Sequence, residues 1–160
     1  MEIRQAKETY FDGIWPILEE VFREGDTFPH SPATSREAAF QYWMVTPTAT
    51  YVAVDEGEIV GTYYLRPNQP DLGSHVCNAG YIVRAGARNR GIGTAMGKHS
   101  LVEARSHGFK AMQFNLVVAT NEPSIRIWKK LGFDVVGTLP KAFKHKDLGF
   151  VDAFVMYRLL

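Results

Sequence analysis

Val83-Arg84-Ala85-Gly86-Ala87-Arg88-Asn89-Arg90-Gly91-Ile92-Gly93-Thr94 leaves a β-rich run and enters a helical one. At a helix N-terminus the first N–H groups have no intrahelical partner, and the helix dipole favours an anion. Glycine lets the main chain approach a phosphate closely and take positive φ where needed. The segment therefore reads as a diphosphate cradle made of main-chain N–H groups over Arg88, Asn89, Arg90, Gly91, Ile92, Gly93 and Thr94. Arg88 and Arg90 would add side-chain charge and Thr94 a hydroxyl. A Walker A loop, G-x-x-x-x-G-K-[ST], is absent. A dinucleotide fingerprint fails because Met96 stands where its third glycine belongs, and Gly97 comes one position late. Taken by itself the segment also fits a tight turn with helix-capping glycines.

Outward from this loop the hydrophobic period sets the elements. Upstream, a strand from about His75 to Val83 follows a polar loop, Pro67 to Gly73. Before that loop, Tyr51–Val54 and Ile59–Leu65 form a hairpin joined by Asp55-Glu56-Gly57-Glu58. Phe11, Ile14, Trp15, Leu18, Val21 and Phe22 recur at helical spacing from Thr9 onward, with Pro16 inside the pattern. Gly25 to Pro32 reads as loop, and Thr34 with Glu37 has capping-box spacing for a second helix carrying Phe40, Tyr42, Trp43 and Met44. Downstream, Gly91 to His107 is helical with Gly108 as C-cap, Met112–Val118 is strand, and Asn121–Leu131 is helix ended by Gly132. Phe133–Thr138 and Val151–Leu159 supply the last strands, and Met1–Ala6 the first. The fold class is α/β: a mixed, mostly antiparallel twisted sheet with flanking helices, in the order β-α-α-β-β-β-α-β-α-β-β.

Composition narrows the function classes. The chain has 160 residues, 46% hydrophobic and 22% charged, which suits a single domain over 1–160 with a real core. A net charge of +1 gives no electrostatic footprint for nucleic acid or a membrane surface. One cysteine, Cys77, rules out an intrachain disulfide and points to a reducing compartment. No signal-peptide h-region opens the sequence and no apolar run approaches a spanning helix, so the expected location is cytoplasmic. No Cys/His group has zinc-ligand spacing, so no metal is expected.

The string R-x-x-G-x-G after a strand, with a second helix opening Asn121-Glu122-Pro123-Ser124 and closing Leu131-Gly132-Phe133, resembles the GNAT superfamily of acetyl-CoA-dependent N-acetyltransferases. The resemblance runs from about residue 50 to the end. It implies acetyl-CoA as co-substrate, lying in a V-shaped splay between two central parallel strands. The pantetheine amides would pair with the main chain of Tyr81, Ile82 and Val83, and the pyrophosphate would sit on the loop Arg88 to Thr94. It implies that Asn121 contacts the cofactor arm near the thioester, with Ser124 and Trp128 on the same helix beside it. Asn121 is equally a good helix N-cap, and both roles can coexist.

Two departures stand out. Many relatives place a tyrosine seven residues after that asparagine to protonate the leaving thiolate; Trp128 stands there, and an indole N–H has no proton to give. Trp128 either packs on the cofactor or sits in the core. Either water then protonates the thiolate, whose thiol pKa is near that of cysteine, or another group does. The strand before the glycine loop, His75-Val76-Cys77-Asn78-Ala79-Gly80-Tyr81, also lacks the carboxylate that relatives use as base. His75 has suitable chemistry but reads more simply as a surface residue, leaving a water held by amides and carbonyls as base. Cys77 is a formal acetyl-enzyme candidate and, as a small residue in an apolar strand, more simply a buried one.

Asn78 and Asn115 fall on adjacent strands, where asparagine is depleted. They read either as a pocket for a small substrate's carboxylate or as satisfying local backbone. Phe114-Asn115-Leu116-Val117, Thr120-Asn121, Ile127-Trp128, Val151-Asp152-Ala153 and Gly25-Asp26-Thr27-Phe28-Pro29 resemble the branch of azetidine-2-carboxylate (cyclic imino acid) acetyltransferases, which shares the tryptophan and relies on paired asparagines. That resemblance implies a small amino or imino acid acceptor, with Asn78, Asn115 and Asn121 in the chemistry and Phe28 and Pro29 lining the acceptor pocket. It also implies a homodimer. The cluster Lys141, Lys144, His145 and Lys146 reads as a solvated basic hairpin, or else as a site for an acidic substrate or the 3′-phosphate of CoA. Two rival functions remain: a protein N-terminal or lysine acetyltransferase, and a non-catalytic acyl-CoA sensor. The aromatic loops around Phe28 and Phe143 favour a closed site over a peptide groove.

Overall fold

In a computed structural model describing all residues from Met1 to Leu160, a seven-stranded sheet runs in the order β1-β2-β3-β4-β5-β7-β6. The strands are β1 Glu2–Gln5, β2 Ala49–Asp55, β3 Glu58–Pro67, β4 Val76–Val83, β5 Ala111–Val118, β6 Asp134–His145 and β7 Gly149–Leu159. The helices are α1 Phe11–Glu24, α2 Arg36–Phe40, α3 Ile92–Ser106 and α4 Glu122–Lys130. The element order expected from periodicity is the order found, and β4–β5 is the parallel pair of a sheet otherwise antiparallel. No helix is long and apolar enough to cross a membrane.

Alternation within β3 and β4 divides the core between the two sheet faces. Tyr63, Leu65, Cys77 and Ala79 bury toward α3 and α4 with Met96, Leu101 and Trp128. Tyr64 and Ile82 bury toward α1 and α2 with Ile14, Leu18, Phe22 and Trp43. Helix α1 runs through Pro16 without a break in its span.

Three boundaries differ from the sequence reading. The N-cap of α2 is Ser35, whose hydroxyl accepts from Ala38 N–H at 3.1 Å, because the Thr34 hydroxyl turns back to Ser31 O. Beyond α2 the chain widens into a π-type turn over Gln41–Val45. Strand β6 does not stop at Thr138 but continues to His145. The basic cluster is thus mostly strand: Lys141, Lys144 and His145 lie in β6, and Phe143 between them is buried. Extra residues around Lys141, which has φ +51°, form a bulge whose Lys141 N–H donates to the Asp152 carboxylate at 3.0 Å. A strand exposed along almost all of its length and broken by a bulge carries no period-two signature, which is why its far half reads as loop.

Candidate functional site

Strands β4 and β5 pair at Val76–Ala111 and Cys77–Met112 and then separate. At that point Asn78 Nδ2 donates to Gln113 O at 3.0 Å, so a side chain replaces the ladder where the strands part. On the other edge of β4, Arg84 N–H donates to Val60 O and Asn68 N–H to Val76 O. The even-numbered residues of β4 therefore bond to β3, and the odd-numbered ones turn their main-chain groups toward the gap. Tyr81 and Val83 present N–H and C=O to the opening; the Ile82 main chain is committed to Thr62 across the ladder. A one-residue bulge in β5, between Phe114↔Met156 and Val117↔Phe154, holds Asn115 and Leu116 and accounts for an asparagine inside a strand.

The gap opens into a cleft of about 1320 Å³. One end reaches the start of α3. Gly91, with φ +78°, caps that helix without a side-chain bond, and Asn89 at φ +63° also takes left-handed backbone. The N–H groups of Ile92, Gly93 and Thr94 thus begin the helix with no capping acceptor, facing a cleft that all three line. Free N–H groups at a helix start are an arrangement that can hold an anion. The arginines behave differently from one another. Arg88 lines the cleft with its guanidinium on Glu24 at 2.8 Å, while Arg90 turns outside it to Asp55 at 2.5 Å.

The middle of the cleft is bounded by α4. Asn121 is the N-cap, its Oδ1 accepting from Ser124 N–H at 3.4 Å, which leaves the amide Nδ2 free to donate. Asn121, Ser124 and Trp128 all line the cleft. Trp128 is also core: its ring centroid is 4.6 Å from both Tyr81 and Phe114. The Tyr81 hydroxyl lies 2.7 Å from Ser100 Oγ, and its burial keeps it protonated.

The far end is aromatic and polar, on the α1–α2 face. Phe28 and Pro29 line it, with the Phe28 ring 5.8 Å from Trp43. A directed hydrogen-bond chain crosses it. Arg66 Nη2 donates to Tyr42 Oη at 2.7 Å, Tyr42 and Tyr64 hydroxyls lie 3.2 Å apart, and Tyr64 O–H donates to Asn78 Oδ1 at 3.4 Å. Gly80 makes room for this, since a Cβ there would lie 2.7 Å from the Tyr64 ring. Burial, then the neighbouring Tyr42, pushes the Tyr64 hydroxyl far up, so it stays neutral. Asn115 is more exposed and its amide is used locally, donating to Asn68 Oδ1 at 2.8 Å and accepting from Gln113 at 3.0 Å. Asp26 lines the cleft with a buried Oδ1 that has no partner.

Sequence reasoning missed Tyr42, Tyr64, Arg66 and Asp26. The spacing Thr62, Tyr64, Arg66 places three polar groups on one face of β3, and that was the available signal. His75 is exposed and lies outside the cleft, as does Cys77. The Cys77 thiol is buried and pushed up to about 12, so it is not a thiolate near neutral pH. Cys77→Ala is expected to leave acceptor-dependent CoA release unchanged, with a stability cost of about 1 kcal/mol. Loss of turnover in a folded variant would restore a covalent route.

The rim is closed by the β6–β7 tip. Lys146 N–H donates to Gly25 O at 3.0 Å, and His145 and Leu148 line the cleft.

Comparison with known proteins follows the same outline. The sequence model of the acetyltransferase (GNAT) family matches residues 12–133. The chain is 41% identical to the N-acetyltransferase aca1 of Schizosaccharomyces pombe over 93% of this chain and 79% of that protein. It is 30% identical to the L-amino acid N-acetyltransferase AaaT of Escherichia coli over 68% of this chain and 66% of that protein. A GCN5-related N-acetyltransferase from Kribbella flavida superposes with TM-score 0.94 at 39% identity, over 99% of this chain and 97% of that chain.

Proposed function

The chain belongs to the acetyltransferase (GNAT) family, and from that premise we propose that it moves the acetyl group of acetyl-CoA to the amine of a small amino or cyclic imino acid. It is an enzyme of the acetyl-CoA-dependent N-acetyltransferase type. The observation that carries the finer reading is one cleft joining three parts: free N–H groups at the start of α3, the open edge of β4, and an aromatic pocket under Phe28. The names of the curated relatives support it, one of them being an L-amino acid N-acetyltransferase.

Each part has a role this chain can perform. Ile92, Gly93 and Thr94 N–H groups hold the pyrophosphate, with Asn89 and Gly91 shaping the turn and Arg88 at its margin. Tyr81 and Val83 main chain bind the pantetheine arm, and a main-chain N–H on the open edge of β4 toward Asn78 polarises the thioester carbonyl. Asn121 Nδ2 contacts the arm beside the thioester. Asn78 stands where the strands part, between the acyl end and the acceptor pocket; Asn115 shapes that pocket through Asn68. Acetyl-CoA supplies the activated acyl group. The acceptor nitrogen, once deprotonated through water, attacks the carbonyl; the C–S bond breaks and water protonates the thiolate. Positioning does most of the work. Transfer in this reading is direct, within a ternary complex, with Trp128 as a wall and not an acid. A homodimer and the cyclic imino acid branch belong to this same proposal.

The test is CoA release from acetyl-CoA with a panel of amino acids, imino acids, polyamines and peptides, comparing wild type with Asn121→Ala. The expected result is turnover on small amino or imino acids, reduced about 10–100-fold in the variant, with about 1 kcal/mol lost from the helix cap. A folded variant with unchanged kcat/KM would leave Asn121 a cap and nothing more.

A further inference from the structure

Among the cations that line the cleft, Arg66 differs from the rest. Arg88 is neutralised by Glu24, Arg126 and Lys130 are exposed on α4, and the His145 ring accepts from the main chain of Asp147 and Leu148. Arg66 is half-buried, makes no ion pair, and lines the acceptor end. Its Cζ lies 4.6 Å from the Tyr42 ring centroid and 5.1 Å from that of Tyr64. One N–H is spent on Tyr42 Oη. A guanidinium offers five donors in a planar fork, so most of its donating capacity has no protein partner.

A partly desolvated cation without a counter-ion is costly unless something anionic completes it. The surroundings hold it in place without neutralising it. Two rings lie against it, and the chain from Tyr42 through Tyr64 to Asn78 fixes both rings. Arg66 and Asn78 are direct cross-strand partners, on the face of β3–β4 turned to α1 and α2. Each asparagine amide has spent one of its two N–H donors, Asn78 on Gln113 O and Asn115 on Asn68, and neither carries charge. His30, edge-on to Tyr42 at 4.3 Å, is kept neutral by burial and by Arg66.

We propose that Arg66 is the carboxylate anchor of the acceptor site, gripping an α-amino or cyclic imino acid by a charge-assisted pair beside Asn78 and so selecting carboxylated amines over plain ones. The inference rests on the acetyl-transfer reading for its context and adds the group that sets substrate class. A guanidinium fork can present two parallel N–H bonds to a planar carboxylate, and the two tyrosine rings beside Arg66 keep it at the acceptor end. The amine is then turned toward the acyl end of the cleft, past Asn78.

The experiment compares proline-type imino acids with their carboxamides and with the corresponding decarboxylated amines, in wild type, Arg66→Gln and Arg66→Lys. In wild type the carboxylated acceptors are expected to be favoured in kcat/KM by about 100-fold or more. Arg66→Gln is expected to lose about 100-fold on them, chiefly in KM, with little change on the amides and unchanged acetyl-CoA affinity. Arg66→Lys should fall between, keeping charge but not the fork. Equal losses on carboxylated and neutral acceptors would make Arg66 a brace for Tyr42 and overturn the proposal. A binding arm keeps the two readings separable. Proline-type carboxylates should raise the melting temperature of the wild-type CoA complex and not that of Arg66→Gln, whether or not turnover occurs. Absent turnover with that selective stabilisation would refute acetyl transfer alone; no stabilisation of wild type by any carboxylate would refute the anchor.

Discussion

Replacing Trp128 by alanine is expected to remove about 3–5 kcal/mol of folding stability, the usual range for deleting a buried aromatic. The indole is only 6% exposed and sits at the meeting point of α4, α3 and the parting strands. It contacts Tyr81 and Phe114 at 4.6 Å centroid separation and Phe133 at 5.8 Å. Gly97 lets α3 approach, since a Cβ there would lie 3.1 Å from the Trp128 ring. The cavity left behind would open directly under the pantetheine path, so acetyl-CoA affinity should fall with stability. At roughly 2–4 °C per kcal/mol for a chain of this size, the melting temperature should drop by about 6–20 °C. Trp128→Phe should retain most of the stability, and because no proton is delivered from this position, it should retain most of kcat as well. A melting temperature unchanged in Trp128→Ala would show that the ring is not part of the core. A large kcat loss in a fully stable Trp128→Phe would give the indole a chemical role.

Thr94→Asp separates folding from binding by sign. A carboxylate in the first turn of α3 meets the positive end of the helix dipole, worth about 0.3–1 kcal/mol of stabilisation. The same carboxylate faces the place proposed for the pyrophosphate. Two unit charges at about 6–8 Å and an effective dielectric near 20 repel by about 2–3 kcal/mol. Acetyl-CoA affinity should therefore weaken by about 100-fold while the free protein melts at the same temperature or slightly higher. Thr94→Ser, keeping the hydroxyl, should bind normally. Calorimetric titration of acetyl-CoA against the three proteins checks the affinity and thermal melts of the free proteins the stability, and equal affinity in Thr94→Asp would move the pyrophosphate away from α3.

Both expectations depend on features that were visible in the residues. The strand–glycine–helix passage at 83–94 and the change of period on either side of it were enough for the element order. The sheet's separation between β4 and β5 was legible only through family resemblance, because a pairing that stops leaves no pattern in either strand. The acceptor pocket was the least legible part. Tyr42, Tyr64, Arg66 and Asn78 come from a helix-following turn and two strands, and no spacing links them. Tyr42 falls within a helical apolar pattern, and Arg66 lies just past the β-rich run that ends at Leu65. Asn115 stood out because asparagine is unusual in a strand, yet its strand position is explained by the β5 bulge and its bond to Asn68. Thr34 matched a cap motif that Ser35 fulfils, a one-residue error that the local turn at Ser31 produced.

The most direct test of acetyl transfer is to incubate the protein with acetyl-CoA and a proline-type imino acid and to follow the acceptor by mass spectrometry alongside free CoA. The account predicts an N-acetylated acceptor formed in equal amount to the CoA released, with neither appearing when the acceptor is omitted. Acetyl-CoA binding without acetylation of this or any other small amine in the panel would contradict it and leave a protein that holds the thioester without using it.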